Sequence, residues 1–295
     1  MADTMFKKVA FIGIGLIGSS MARRMKADGL ADEIVCCARS EATRAKALEL
    51  GIVSQAVENP AAAVYGADLV VIATPIGSYG TIAEAIAPVL KADTIVTDVG
   101  SVKQAVVDAV GAHLPSVKNF VPGHPIAGTE HSGPESGFPE LFEQRWTILT
   151  PTEDTDPAAT ERVTALWRAM GAMVDHMTPS HHDMVLAITS HLPHLIAYTI
   201  VGTATDLEDD LRQEVIKYSA SGFRDFTRIA ASDPVMWRDI FLNNKEATLE
   251  ILQRFSEDLT TLQRAIRRGE GDALETLFAR TRKIRRGIID ANQAD

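Results

Sequence analysis

Val9 to Ile14 is a continuous apolar run, VAFIGI, rich in branched side chains, the pattern of a strand buried on both faces. A helical stretch, SSMARRMKADG, follows, and then a second strand, EIVCCA. Apolar strands recur at DLVVIATP and TIVTDVGS, separated by helical stretches at 41–50, 79–91 and 102–113, and NFVPGHP brings a further strand end. WTILTP and AMVDHMTP read as two more strands on either side of a helix, DPAATERVTALWRAMG. Asp156 is a plausible N-cap for that helix, ahead of Pro157. Strands alternating with helices predict a parallel sheet covered on both faces.

From about Pro179 the alternation stops. HHDMVLAITSHLPHLIAYTIVGTATDL predicts a long apolar helix kinked at Pro193. So apolar a segment is expected to be buried within its domain or against a second subunit. Further helices are expected over 206–218, 234–268 (with a break) and 270–291. The expected layout is an α/β domain over 1–179 and an all-α domain over 180–295, with a ligand cleft between them.

The first strand runs into Gly13, Gly15 and Gly18, a G-x-G-x-x-G enclosing Leu16 and Ile17. The first glycine permits a tight turn, the second lets backbone approach a pyrophosphate, and the third lets helix pack on strand. With a strand before and a helix after, this predicts a Rossmann-type dinucleotide site, the phosphates lying at the helix N-terminus. An NAD site usually carries an acid at the end of the second strand, for the ribose hydroxyls. Here the sequence is CCARS, with Ala38 in that place and Arg39 and Ser40 following. A guanidinium and a hydroxyl suit a 2′-phosphate, so NADP is favoured and NAD remains possible. Ligands sit beyond the carboxyl ends of such strands, which makes Thr74, Pro75 and Ser101 candidates to face the cofactor.

At 295 residues the chain has room for a large core and two domains. A net charge of −10 argues against nucleic acid, and the basic residues between Arg280 and Arg286 read as a solvated helix face. Lys7 and Lys8 ahead of the apolar run mimic a secretory signal, but strand and phosphate loop explain the same residues better. No other segment is expected to form an unbroken apolar span of about 18 residues, so no membrane crossing is expected. Cys36 and Cys37 are adjacent in a strand, point to opposite faces and are poorly placed to pair, which fits a cytoplasmic protein.

Three stretches carry candidate chemistry. GHPIAGTEHSG holds His124 in a segment too broken by Gly and Pro for helix or strand. A histidine there could be a switch, a metal ligand or a base. SHLPH sets His191 and His194 three apart on a helix face, suited to metal, core packing or substrate contact. No carboxylate or cysteine pattern completes a metal site beside them, so no metal is expected. SGFRDFTRIAASDPVMWRD carries Arg224, Arg228 and Arg238, whose guanidinium forks suit an anionic substrate.

Taken together, GIGLIG, TDVGSVK, GHPIAGTEHSG, SHLPH and GFRDFTRIAASDPVMWRDIFLNN resemble the prephenate/arogenate dehydrogenases of tyrosine biosynthesis, from about residue 6 to 285. The resemblance implies oxidative decarboxylation of a cyclohexadienol acid with NAD(P)⁺ and a homodimer through the helical domain. It implies His124 as the catalytic histidine with Ser101 as its partner serine. His191 and His194 would meet the substrate, Arg228 would bind its side-chain carboxylate, and Glu130 and Trp237 would complete the site. Arg224 stands where some relatives have Lys. A neutral imidazole titrating near physiological pH suits removal of the ring-hydroxyl proton, with Ser101 sharing the hydrogen bond. The chain ends soon after the helices, so no added regulatory domain is expected and any tyrosine feedback would act at the active site. The alternatives are a β-hydroxyacid dehydrogenase or imine reductase, for which a lysine base would be expected, and a non-catalytic NADP sensor.

Overall fold

The computed structural model describes residues 4–129, 131–206, 214, 217 and 220–290, with side chains described as far as 287. The chain falls into two compact units, Met1–Lys245 and Glu246–Asp295.

The first unit opens with β1 (Phe6–Ile12), α1 (Leu16–Ala27), β2 (Ala31–Cys37), α2 (Glu41–Glu49), β3 (Gln55–Val57) and α3 (Pro60–Val64). β4 (Leu69–Ile72), α4 (Tyr79–Ile86), β5 (Ile95–Asp98), α5 (Gln104–Gly111) and β6 (Phe120–Val121) complete the large sheet. Its six strands are parallel in the order β3-β2-β1-β4-β5-β6, the doubly wound arrangement the alternating pattern predicts. The twofold period of a strand divides the core. Val9, Phe11, Cys36, Leu69 and Val71 face one hydrophobic cluster, while Ala10, Ile12, Cys37, Val70 and Ile72 face the other. Each large side chain so buried contributes roughly 1.5–3 kcal/mol. The two cysteines are accordingly free and on opposite faces.

Gly123–Pro125 forms a short strand, β7, which corrects the expectation that the segment is too broken for one. It pairs antiparallel with β8 (Trp146–Leu149), His124 opposite Ile148. Pro125 is tolerated because β7 is an edge strand of only three residues. α6 (Pro157–Ala169) leads to β9 (Met173–His176), parallel to β8, so the last two predicted strands belong to a separate three-stranded sheet. Asp156 caps α6 as expected, its carboxylate accepting from the Ala158 N–H.

α7 (Pro179–Leu186) and α8 (Leu192–Thr205) are joined by a wide π turn over Ala187–His191, which ends two residues before Pro193. A proline cannot donate to the ladder, and the wider turn accommodates that loss without ending the helix. Pro179–Thr205 is therefore one 27-residue helical span whose most apolar 18-residue window has a mean hydropathy of 1.5, long and apolar enough by length and composition to cross a membrane. That corrects the expectation that no such span exists. Only 22% of its most apolar window is buried within the chain. The helix expected over 206–218 falls largely outside the described residues.

α9 (Ser221–Thr227) and α10 (Pro234–Asn243) finish the unit, with α10 capped by Asp233. A small cluster of Val102, Trp237 and Ile240, with Tyr198 and Phe241 against it, packs α8 and α10 beside the start of α5. The predicted break within 234–268 falls at Asn244, where α11 (Lys245–Arg268) takes over. The second unit consists of the rest of α11 and α12 (Gly271–Asp290). These helices bear exposed Leu249, Leu259, Ile266, Phe278 and Ile284.

Candidate active site

The glycine turn has the geometry its chemistry requires. Gly13 has φ +95°, and a Cβ there would run into the Ala73 carbonyl. A Cβ on Gly15 would meet nothing within 4 Å, so its backbone lies open to an approaching ligand. No side chain caps α1, which leaves its first N–H groups, at Leu16, Ile17 and Gly18, available to phosphate oxygens. The groove is about 1060 Å³ and is lined by Gly13, Gly15, Arg39, Ser40, Thr74 and Pro75 among others. These features fit a dinucleotide. Ala38 and Arg39 have their carbonyls held by Arg44 Nη1, at 2.7 and 2.8 Å, and Ser40 caps α2 by accepting from the Thr43 N–H.

Beyond β5 a buried ion pair organises the loops. Lys103 Nζ donates to Asp98 Oδ2 at 2.5 Å and to the Gly123 carbonyl at 2.8 Å, with both charged side chains fully buried. Asp98 also accepts from the N–H groups of Gly100 and Gly123. The residue before His124 is thereby tied to the end of β5, and β5 neighbours β4, whose end continues into Thr74 and Pro75 of the groove. Burial pushes the Lys103 ammonium down, against the opposing pull of Asp98.

His124 is 9% exposed, and its Nδ1 lies 2.9 Å from His182 Nε2. His182 Nδ1 lies 2.8 Å from Asp183 Oδ1. Among the described residues, the hydrogen-bond partner of His124 is His182, on the Nδ1 side of the ring. Burial drives His124 well below its ordinary 6.5, helped by His182, Lys103 and His191. This corrects the expectation of an imidazole titrating near physiological pH: the ring is neutral well into the acid range.

The two SHLPH histidines meet around α10. His191 is buried in the π turn, with Nδ1 3.0 Å from Asn244 Nδ2, and its Nε2 has no partner among the described residues. His194 Nδ1 donates to the Ser190 carbonyl at 2.9 Å, while its ring stacks on Trp237 at 3.6 Å between centroids. His191 meets the same indole edge-on. The positive charge of Arg228 is felt at His194 and, after burial, helps to lower it. Arg224 lies one turn earlier on α9, exposed. Arg238, by contrast, is held by its neighbour Asp239 at 2.6 Å. Glu130 lies outside the described residues.

Comparisons with known proteins establish the family. A family model described as prephenate dehydrogenase, nucleotide-binding domain, matches residues 21–176, and one described as prephenate dehydrogenase, dimerization domain, matches 178–280. The chain belongs to the prephenate dehydrogenase family. A cyclohexadienyl dehydrogenase of Zymomonas mobilis is 42% identical, over 96% of each chain. Prephenate dehydrogenase from A. aeolicus, solved in complex with hydroxyphenyl propionate and NAD⁺, superposes with a TM-score of 0.90. It is 35% identical, and the match covers 98% of this chain and 100% of that one. Synechocystis arogenate dehydrogenase gives a TM-score of 0.81 at 29% identity, covering 95% and 99%. As a member of this family the chain is an NAD(P)-dependent oxidoreductase of tyrosine biosynthesis, with a Rossmann-type domain followed by a helical one carrying the dimerization segment.

Sequence reasoning alone missed His182, Asp183, Lys103 and Asn244. The first two sit in PSHHDM, which reads as an ordinary polar helix start, and only the fold brings them behind His124.

Proposed function

We propose that this site oxidatively decarboxylates prephenate, L-arogenate or both, with His124 as the base. The supporting observation is the direction of its ring. Nδ1 is engaged by His182, so Nε2 is the nitrogen left for a substrate hydroxyl. When bound in the groove, the nicotinamide supplies the hydride acceptor. The product ring is aromatic, so much of the driving force resides in the substrate. The protein must then orient the ring, take one proton and fix two anions.

Each task has a residue. His124 takes the hydroxyl proton, and Ser101, next to Gly100 at the end of β5, is a further hydroxyl on the same edge. Arg228 offers an exposed guanidinium for the side-chain carboxylate, with Arg224 a turn away. The buried His191 Nε2 is a donor with no partner among the described residues, suited to a substrate oxygen, and His194 is held flat on Trp237 beside it. Glu130 remains the acidic residue proposed for the site's mouth.

NADP is the favoured dinucleotide, because Arg39 and Ser40 line the groove and Ala38, not an acid, directly follows β2. The division into a cofactor domain over 1–179 and a helical domain over 180–295 follows the change in pattern. A homodimer through the helical domain is supported by the dimerization-domain match and by the largely uncovered apolar span Pro179–Thr205. The two free thiols suit the cytoplasm.

The test is reduced-cofactor formation with prephenate and with L-arogenate, each against NADP⁺ and NAD⁺. Activity with at least one substrate is expected, and silence in all four reactions overturns the proposal. His124→Asn should lower kcat by roughly 10²–10⁴-fold with cofactor binding retained. Near-normal turnover would remove His124 from its role.

A further inference from the structure

We propose that His182 and Asp183 are positioning residues that fix which nitrogen of His124 carries its proton. The inference rests on the reading of His124 as the base. An imidazole that must accept a proton at Nε2 has to keep its own proton on Nδ1, and a side chain in solution is under no such constraint.

The polarity of the chain is set at its far end. Asp183 Oδ1 accepts from the Lys103 N–H at 2.7 Å, and Oδ2 from the Gln104 N–H at 2.9 Å. These donors open α5, which has no side-chain cap of its own. A carboxylate only accepts, so His182 Nδ1 must be the donor in its 2.8 Å contact with Asp183 Oδ1. A neutral His182 then carries its lone pair on Nε2, and across 2.9 Å that lone pair requires a proton on His124 Nδ1. His124 is left with its lone pair on Nε2.

The chain of side chains is buried and held by hydrogen bonds at both ends. His182 is fully buried, and its ring meets His124 edge-on at 64°. Asn244 Nδ2 holds the Asp183 carbonyl at 2.8 Å. Burial and the Lys103 ammonium keep His182 neutral against the pull of Asp183 and Asp98. Neutrality matters here, because a protonated His182 would donate through Nε2 and reverse the polarity. In the reaction the substrate O–H bond breaks and an Nε2–H bond forms on His124. The resulting imidazolium donates through Nδ1 to His182, which donates to Asp183. No second proton moves, and Asp183 acts through its charge and its geometry.

The decisive measurement is the tautomer of His124 in the full-length protein, read from ¹⁵N chemical shifts with His124→Asn to assign the signal. A proton on Nδ1 is expected, and a proton on Nε2 overturns the relay whatever the enzyme's activity. In parallel, His182→Leu should lower kcat by roughly 10–100-fold, with substrate and cofactor KM within about threefold. His182→Gln, whose amide oxygen can accept from Nδ1, should recover to within about threefold of the parent. Equal impairment of both variants, or normal turnover in His182→Leu, also overturns it. Failure of His182→Leu to fold leaves the tautomer measurement to decide. Loss of the base assignment itself would show differently, as normal turnover in His124→Asn.

Discussion

Asn244 Nδ2 donates to His191 Nδ1 across 3.0 Å, and both side chains are buried. The amide nitrogen can only donate, so the imidazole keeps its proton on Nε2, where no described residue receives it. An unmet buried donor costs about 1–3 kcal/mol, and a substrate oxygen arriving there would remove that cost. Asn244→Asp replaces the donor with an acceptor and should turn the ring's proton to Nδ1. The expected outcome in steady-state kinetics is a substrate KM raised about tenfold, with cofactor KM unchanged.

The Lys103–Asp98 pair should show itself in stability. Lys103→Met leaves a carboxylate buried without its counter-charge and should cost roughly 3–5 kcal/mol in urea unfolding. Lys103→Met combined with Asp98→Asn should recover part of that loss, since the remaining charge is gone. The recovery will be incomplete, because Lys103 also holds the Gly123 carbonyl.

Acid should weaken the fold through the buried histidines. Burial holds His191 at about 4, against an ordinary 6.5. Above 6.5 the ring is neutral in both folded and unfolded chains, and its full contribution is present. Below 6.5 the unfolded chain takes up a proton that the folded one refuses until about 4. Stability therefore falls as pH drops through that window, by on the order of 3 kcal/mol from this residue. His124 and His182 are shifted in the same direction and add to the loss. Urea midpoints across the window check the sign. The kcat/KM profile should show no fall as pH drops through 6.5, because burial holds His124 well below that ordinary value.

Cofactor choice should turn on the residues after β2. Arg39→Ala should raise the KM for NADP⁺ about tenfold or more and leave that for NAD⁺ nearly unchanged, since one charge-assisted contact to the 2′-phosphate is lost. Ala38→Asp should move preference toward NAD⁺, by adding an acceptor for the ribose hydroxyls and a repulsion against phosphate. The ratio of the two kcat/KM values reads both effects.

The arginines should separate. Arg228→Ala should raise substrate KM about tenfold or more by removing a carboxylate partner. Arg238→Ala should change it little, because that guanidinium is already occupied by Asp239.

Much of the fold was legible because strand and helix periods are local. The apolar run at Val9–Ile14, the three glycines behind it and the recurring strands were enough for a doubly wound nucleotide domain, and the loss of alternation near Pro179 marked the helices. The short strand at His124 was not legible: three residues with a glycine and a proline carry no periodicity, and their extended form comes from pairing with β8. The long helix through Pro193 was legible from its apolar run, but not the π turn that absorbs the proline, nor that its apolar window is long enough to cross a membrane.

His124, Ser101, His191, His194 and Arg228 were nominated from sequence by the company they keep in their motifs. Sequence by itself determined the dinucleotide turn, the order of the elements and this list of chemical groups, because each depends on neighbours along the chain. Tertiary structure alone decided that His124 turns its Nδ1 to His182, that Asp183 closes the chain against α5, and that Asn244 orients His191. The partners in each case are 53 to 80 residues apart, brought together by packing, and the direction of a hydrogen bond exists only once donor and acceptor face each other.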